Sequence, residues 1–161
     1  LYNKKFNKKF NFTYIGNLPK NISLKNSTHI EPLYGRKLAK ELSKHHVYLT
    51  ASINEPAGMH HIEGALSGLP LVYRKSGALP EYCNGYGIQF IDNEFLPAIR
   101  SMRNRYLKFK NKLRYYPYTS DEMSSNYIFL FKKLLKKKDE IIKKRRIFRN
   151  PFKLLINLLI L

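Results

Sequence analysis

The sequence of 161 residues is short of cysteine, of acidic side chains and of long apolar runs. Its one cysteine, Cys83, excludes a disulfide framework and fits a reducing compartment, and beside a turn it predicts a small buried side chain. The first residues lack the apolar run of a signal peptide, and the apolar C-terminal stretch FKLLINLLIL is shorter than the about twenty residues that span a bilayer. We therefore expect a cytoplasmic protein, and the start at Leu1 leads us to expect further residues upstream.

Acidic residues are scarce, because eleven Asp and Glu stand against thirty Lys and Arg, a formal net charge of +19. Residues 1–99 hold twelve basic and seven acidic side chains, a net of +5, whereas residues 100–161 hold eighteen and four, a net of +14. A surplus of this size favours anionic partners, among them nucleic acid, anionic lipid head groups and phosphorylated metabolites. The charge alone does not choose among them.

Short apolar segments alternate with helical patterns through the first 95 residues. Helical patterns in YGRKLAKELSKH and MHHIEGALS lie between apolar segments, and Gly68 with Pro70 indicates the exit of the second helix. This alternation with brief connections predicts an α/β fold, with an open parallel sheet covered by helices on both faces. The predicted strands are FNFTYIG (10–16), THI (28–30), VYLTAS (47–52), PLVYR (70–74) and GYGIQFI (85–91).

The C-terminal third is helical by its periodicity, first in residues 94–113 and then in residues 119–149. Thr119 followed three residues later by Glu122 predicts a capping box at the start of the second helix. Its apolar stripe consists of Met123, Tyr127, Leu130 and Leu134. We therefore divide the chain into an α/β domain (1–118), a closing basic amphipathic helix (119–149) and an apolar tail (150–161).

Two glutamates lie close together in this basic chain, within YLTASINEPAGMHHIE. Glu55 follows the predicted strand 47–52, and Glu63 lies about one turn into the helix that starts near Met59. In an open α/β sheet, ligands bind beyond the carboxyl ends of the strands, and a helix start beside a permissive glycine, here Gly58, can receive phosphate. Carboxylates accept hydrogen bonds from hydroxyls, which a sugar nucleotide carries on both sides of its diphosphate. A sugar nucleotide is therefore one ligand that would suit this junction.

The segments SINEPAG, IEGALSGLPLV and SGALPE together resemble the donor-binding half of GT-B glycosyltransferases of the large retaining family 4. That family typically reads S-x-x-E-x-x-G, then E-A-x-x-x-G-x-P-V, then G-G-x-x-E, and the likeness covers roughly residues 10–92. In the third motif Ala78 replaces the second glycine. YTSDEMSSNYIFLFKKLL resembles the family's closing helix, without the Trp often found there.

The resemblance implies a Rossmann-like C-terminal half of a GT-B fold that binds a nucleoside-diphosphate sugar and transfers the sugar with retention. It implies no essential metal and no cofactor. Glu55 would be catalytic and hold hydroxyls of the donor hexose, Glu63 would bind the ribose hydroxyls, and N–H groups and cations would stabilise the leaving diphosphate. The implied donor-binding residues are Glu55, Pro56, Ala57, Gly58, Met59, Glu63, Gly77 and, near the base, Leu33 with Pro32.

The resemblance also implies parts that lie outside this sequence, namely an N-terminal acceptor domain and the Arg and Lys that neutralise the diphosphate. We therefore expect a fragment that is inactive alone and belongs to surface polysaccharide or lipid-linked glycan synthesis. Its expected partners are a nucleotide sugar, a glycan or lipid-linked acceptor and the N-terminal domain, and no nucleic acid.

Residues 132–149 carry ten basic and two acidic side chains, and they precede the apolar tail. They form either a solvated helix face or a surface that is attracted to anionic lipid, with the tail lying in the interface. The second alternative would place the protein on the inner face of the membrane. The tail can equally pack against the N-terminal domain, and these alternatives stay open.

Each candidate also has an ordinary structural interpretation. Glu55 and Glu63 are also common as a loop carboxylate and an acid near a helix start, but the surrounding glycine and proline motifs favour ligand binding. His60 is a candidate for a hydrogen bond to the sugar or the acceptor, whereas neighbouring histidines on a helix face different ways and predict no metal site. Arg74 and Lys75 are candidates for added charge in the same crevice, although solvated loop charges are common.

Two other functions stay open at this point. A basic nucleic-acid-binding module would interleave aromatic and basic side chains on an exposed sheet, whereas the basic surplus here lies in the C-terminal helices. A sugar-nucleotide epimerase with a related half-fold would differ in the products that it forms.

Overall fold

The computed structural model describes residues 10–25 and 27–144, together with Phe152, Ile156 and Leu159. The chain divides into two compact units, with the boundary between Tyr116 and Pro117. Short 3-10 turns, Asp92–Glu94 and Leu113–Tyr115, flank the last helix of the first unit. The elements described in that unit are β1 Thr13–Ile15, β2 Thr28–Ile30, α1 Gly35–Leu42, β3 Tyr48–Thr50, α2 His60–Leu66, β4 Leu71–Arg74, α3 Leu79–Cys83, β5 Gly87–Phe90 and α4 Phe95–Lys112.

The strands of the first unit pair in parallel, which confirms the α/β class. β1 pairs with β2, and a separate sheet has the strand order β3–β4–β5. The prediction of one continuous sheet is wrong for the described residues, because the strands form two hydrogen-bonded groups. Alternating apolar residues reveal that a strand exists, but contacts distant in sequence decide which strand it joins.

The three-stranded sheet has helices on both faces. On one face α4 packs against β4 and β5 through a buried apolar cluster, which consists of Val72, Phe90, Ala98, Met102 and Phe109. Leu71 and Tyr73 alternate with Val72 and are also buried, and α2 and α3 contact β3 and β4. Because this sheet is held from both sides, the carboxyl ends of β3 and β4 are fixed relative to each other.

The exit of α2 at Gly68 and Pro70 is confirmed in detail. Gly68 adopts φ +81°, its N–H donates to the Ala65 carbonyl at 2.9 Å, and the Leu69 N–H donates to the Gly64 carbonyl at 3.1 Å. This pair of hydrogen bonds is a Schellman motif, which satisfies carbonyls at the helix end and requires a residue that tolerates positive φ. Pro70 follows at once, and the chain enters β4.

The second unit contains α5 Ser120–Lys136 and α6 Lys138–Lys144. The predicted single helix over residues 119–149 is wrong, since it breaks at Lys137, whose φ −103° and ψ 14° leave the helical region. Residues 145–149 lie outside the described residues, as does the predicted tail except for Phe152, Ile156 and Leu159. Among the described residues, no helix is both long and apolar enough to cross a membrane.

The predicted N-cap of α5 is confirmed, whereas the full capping box is not. The Glu122 N–H donates to Thr119 Oγ1 at 3.2 Å. In a full capping box the Glu122 carboxylate would also accept from the Thr119 N–H. Instead the Thr119 N–H donates to the Pro117 carbonyl at 2.9 Å, and Glu122 Oε1 accepts from Asn126 Nδ2 at 3.4 Å. The sequence pattern therefore located the helix start but not the local partner of each group.

Candidate functional site

The loop after β3 and the turn after β4 meet at the carboxyl edge of the three-stranded sheet. The Ala78 N–H donates to the Glu55 carbonyl at 2.8 Å, and the Asn54 N–H donates to Ser76 Oγ at 2.7 Å. Asn54 itself has φ +53°, a conformation that asparagine tolerates better than most residues. These two hydrogen bonds join the two segments that we assigned from the sequence to one ligand site. We call the region formed by residues 54–63 and 76–78 the corner.

Two glycines let the corner close around Glu55. Gly77 has φ +54°, and a Cβ there would lie 2.3 Å from the Glu55 carbonyl oxygen and 2.6 Å from the Glu55 nitrogen. A Cβ at Gly58 would lie 2.6 Å from Glu55 Cδ. Gly77 therefore admits the backbone of Glu55 and Gly58 admits its side chain, so the close approach at this turn needs no second glycine at Ala78.

The Glu55 side chain lies beside His60, at the start of α2. Oε2 of Glu55 is 3.5 Å from Nε2 of His60, and Nδ1 of the same ring is 3.3 Å from the Tyr48 hydroxyl. The Tyr48 ring fits against α2 because Gly64 has no side chain, since a Cβ there would lie 2.5 Å from Tyr48 Cγ. Tyr48 was not predicted from the sequence, where the glycine inside the short helix was the one signal that a large ring packs there.

Glu63 lies exposed on the first turn of α2 and acts on the same cluster through its charge. Burial, and after it the negative charge of Glu63, raise the pKa of Tyr48 to about 12. The Tyr48 hydroxyl therefore keeps its proton at neutral pH. Of the two carboxylates that the sequence singled out, Glu55 thus lies beside the histidine of this pair, and Glu63 acts on the tyrosine through its charge.

His61 is fully buried behind this pair. Its ring lies edge-on to His60 at a centroid distance of 5.1 Å and 5.3 Å from the Tyr82 ring, and in the described part of the chain neither of its nitrogens has a hydrogen-bond partner. The pKa of His61 is lowered to about 4, chiefly by burial and secondly by the charge of His60. The charge of Glu55 acts in the opposite direction and raises this pKa. The ring is therefore neutral at neutral pH.

The other residues predicted to bind the donor lie partly at the corner and partly elsewhere in the first unit. Pro56, Ala57 and Met59 are exposed along the loop between Glu55 and α2. Leu33 follows β2 of the other sheet, together with Pro32. The structure thus groups Glu55, Gly58, His60, Glu63 and Gly77, whereas Leu33 follows a strand of the other sheet.

The two basic candidates after β4 differ in their surroundings. The Arg74 guanidinium forms an ion pair with Asp92, so its charge is compensated within the protein. Lys75 is exposed, and its backbone N–H donates to the Phe90 carbonyl at 2.9 Å. Lys75 therefore has the less compensated charge of the two.

A metal centre finds no support in the described residues, which contain no group of three or more His, Cys, Asp or Glu that could hold an ion. Cys83 in α3 is free and fully buried, and burial raises the pKa of its thiol to about 12. The prediction of a small buried side chain at this position is confirmed.

Comparison with protein-family models, with curated proteins and with solved structures gave no significant match. The resemblance to glycosyltransferases therefore stays a prediction, and the geometry of the corner is what supports a function.

Alanine at Gly77 is expected to open the corner. Gly35 provides the control, because it has the same φ of +54° but no heavy atom within 4 Å of an added Cβ. Both substitutions place alanine in the left-handed region, at about 1–2 kcal/mol, and only Gly77→Ala also displaces the Glu55 backbone. We expect Gly77→Ala to lower the free energy of unfolding in urea by at least about 1 kcal/mol more than Gly35→Ala. Equal losses would show that the contact is not needed.

Burial of neutral His61 predicts that acid destabilises the first unit. Between the ordinary pKa of 6.5 and the folded value of about 4 the unfolded chain binds a proton that the folded chain excludes, so stability falls as pH falls through this window. The loss is on the order of 3 kcal/mol. His61→Leu should remove it, which urea titrations of both proteins at several pH values will measure. Parallel pH curves for the two proteins would contradict this account.

Proposed function

We propose that this chain is the donor-binding half of a glycosyltransferase, a Rossmann-like half of a GT-B fold that serves transfer of a sugar, with retention, from a nucleoside diphosphate. One observation carries the proposal. Two carboxylates border a corner at the carboxyl ends of adjacent parallel strands, with Glu55 held between Gly58 and Gly77 and Glu63 on the first turn of α2. Ligands of open α/β sheets bind at this edge.

The corner suits hydroxyl recognition. An ionised carboxylate only accepts hydrogen bonds, so each of the two glutamates prefers a ligand that presents O–H or N–H groups. The Glu55 side chain is 23% exposed, which leaves part of its oxygen surface for a ligand while the backbone stays fixed. Glu55 is the proposed catalytic residue because it would touch the hexose whose bond to the diphosphate breaks.

The diphosphate would lie between the two carboxylates. The first N–H groups of α2 have no partner within the helix, and Gly58 allows close approach of the backbone. Because α2 has only seven residues, its dipole is small, and the proposal depends on the carboxylates more than on the helix. Lys75 is the proposed nearby cation, whereas Asp92 compensates Arg74.

The other proposed donor-binding residues follow from the same placement. Pro56, Ala57 and Met59 are exposed between the two carboxylates, and Gly77 borders Glu55 from the neighbouring turn. Leu33 stays a proposed contact of the base, with His60 as a further candidate within the corner. The acceptor, a glycan or a lipid-linked glycan, and the N-terminal domain are proposed partners in the synthesis of surface or lipid-linked glycans.

Calorimetry with the full chain can separate the two carboxylates. Uridine, guanosine and adenosine diphosphates are titrated with and without the attached hexose. Glu55→Gln should weaken binding of the nucleotide sugar but not of the bare diphosphate, whereas Glu63→Gln should weaken both. A hydrogen bond to a charged group contributes about 1.5–3 kcal/mol, which corresponds to roughly tenfold to hundredfold in Kd.

Glu94→Gln is the matched control, since Glu94 is exposed in the turn Asp92–Glu94, outside the corner. It should leave every Kd unchanged. The proposal fails if none of these ligands binds, or if both corner variants behave like the control.

We further propose that the second unit binds an anionic membrane surface, in keeping with a position on the inner face of the membrane. Met123, Tyr127, Leu130 and Leu134 recur at a spacing of four, three and four residues and are exposed on α5. Lys132, Lys133 and Lys136 lie among the exposed residues of the last turns of the same helix. An apolar stripe beside basic side chains is the pattern of helices that lie in a lipid interface.

Flotation with lipid vesicles tests this surface. The chain should bind phosphatidylglycerol vesicles and not phosphatidylcholine vesicles. Each lysine near the surface contributes about 1 kcal/mol, so Lys133→Ala with Lys136→Ala should weaken binding roughly thirtyfold. Lys37→Ala with Lys40→Ala, which removes two exposed lysines from α1, is the control. Binding that ignores lipid charge, or an equal loss in the control, would reject this proposal.

A further inference from the structure

Tyr48, His60 and Glu55 form a continuous contact across three segments of the chain. Tyr48 begins β3, Glu55 lies in the loop that follows, and His60 begins α2. The Tyr48 hydroxyl lies 3.3 Å from Nδ1 of His60, and the two rings stack with centroids 6.0 Å apart. On the other side of the ring, Nε2 lies 3.5 Å from Oε2 of Glu55.

The position of the protons on this contact follows from its chemistry. A neutral imidazole has one N–H donor and one acceptor nitrogen. If Nδ1 carried the proton, Nε2 would direct its lone pair at the Glu55 carboxylate, and two acceptors would face each other. If Nε2 carries the proton, the Tyr48 hydroxyl donates to Nδ1 and the ring N–H is directed at the carboxylate. Tyr48 can serve as this donor because burial and Glu63 keep its pKa near 12.

The burial of Nε2 supports this arrangement. The atom is shielded from solvent and has no hydrogen-bond partner within normal geometry among the described residues, and Oε2 of Glu55 lies 3.5 Å from it. A small rotation of either side chain would complete the bond. His61 packs edge-on against the same ring and stays neutral, so it adds no competing charge at neutral pH.

We propose that Tyr48 and His60 are positioning residues, which hold the Glu55 carboxylate in one orientation through a Tyr48–His60–Glu55 hydrogen-bond relay. Glu55 lies on a loop, and a loop carboxylate loses rotational freedom when it binds a ligand unless something already holds it. The relay supplies this order before the ligand arrives. The benefit of the relay to donor binding rests on the proposed function. The existence of the relay does not depend on that function.

Nitrogen NMR of the full chain tests the relay without any ligand. Long-range ¹H–¹⁵N spectra distinguish the two tautomers, and they are recorded at about pH 8.5, roughly two units above an ordinary histidine pKa. The His60 signals are assigned by their disappearance in the His60→Gln variant. They should show a single tautomer, with the proton on Nε2. Tyr48→Phe should return the ring to a mixture, and Tyr86→Phe should not, because the Tyr86 hydroxyl donates instead to the Tyr115 carbonyl.

Donor affinity then tests the consequence through a double-mutant cycle. Tyr48→Phe keeps the ring that packs on Gly64 and should raise the Kd for a nucleotide sugar about threefold to tenfold, as expected for one hydrogen bond. The same change in a His60→Gln background should have no further effect, since the acceptor Nδ1 is then absent. Amide spectra of each variant establish that it is folded.

Different results would overturn the relay and the proposed glycosyltransferase function. A His60 tautomer that is mixed, or that ignores Tyr48→Phe, overturns the relay whether or not a nucleotide sugar binds. Additive effects of Tyr48→Phe and His60→Gln on Kd also overturn it. A single tautomer that depends on Tyr48, in a chain that binds no nucleotide sugar, would support the relay and reject the glycosyltransferase assignment.

Discussion

The close approach of the Glu55 backbone to Gly77 is the constraint on which the candidate site depends. It is possible only because position 77 has no side chain and tolerates positive φ, and the Ala78 N–H to Glu55 carbonyl hydrogen bond then joins the ends of β3 and β4. The sheet beneath is covered by helices on both faces, so this junction cannot shift without disturbing the buried cluster around Val72. The position of the Glu55 backbone follows from these two facts.

The electrostatics of the corner contrast with the rest of the chain. The protein carries a net charge of +19, yet beyond His60 the groups described near Glu55 include an exposed acid, Glu63, and two rings that burial keeps neutral, Tyr48 and His61. Negative charge at the corner therefore stays with the two carboxylates. Such a site favours a ligand that brings hydroxyl donors to its ends, and positive charge elsewhere on the chain attracts anions to it over a longer range.

The sequence allowed the elements to be predicted better than their pairing. Short apolar segments located the five strands, Gly68 with Pro70 located the end of α2, and Thr119 located the start of α5. It could not reveal that β1 and β2 form a sheet of their own, because pairing depends on contacts distant in the chain. The role of Tyr48 was not predicted for the same reason, since its partner His60 is twelve residues away and their contact requires Gly64.

In the function that we propose, Glu55 and Glu63 hold opposite ends of one nucleotide sugar. A crystal structure of the chain with an intact nucleoside-diphosphate hexose tests it most directly. We expect oxygens of Glu55 within about 2.6–3.0 Å of hexose hydroxyls and oxygens of Glu63 at the same distance from ribose hydroxyls, with the diphosphate beside Gly58. A ligand bound elsewhere, or bound at the corner with both carboxylates turned towards solvent, would contradict it.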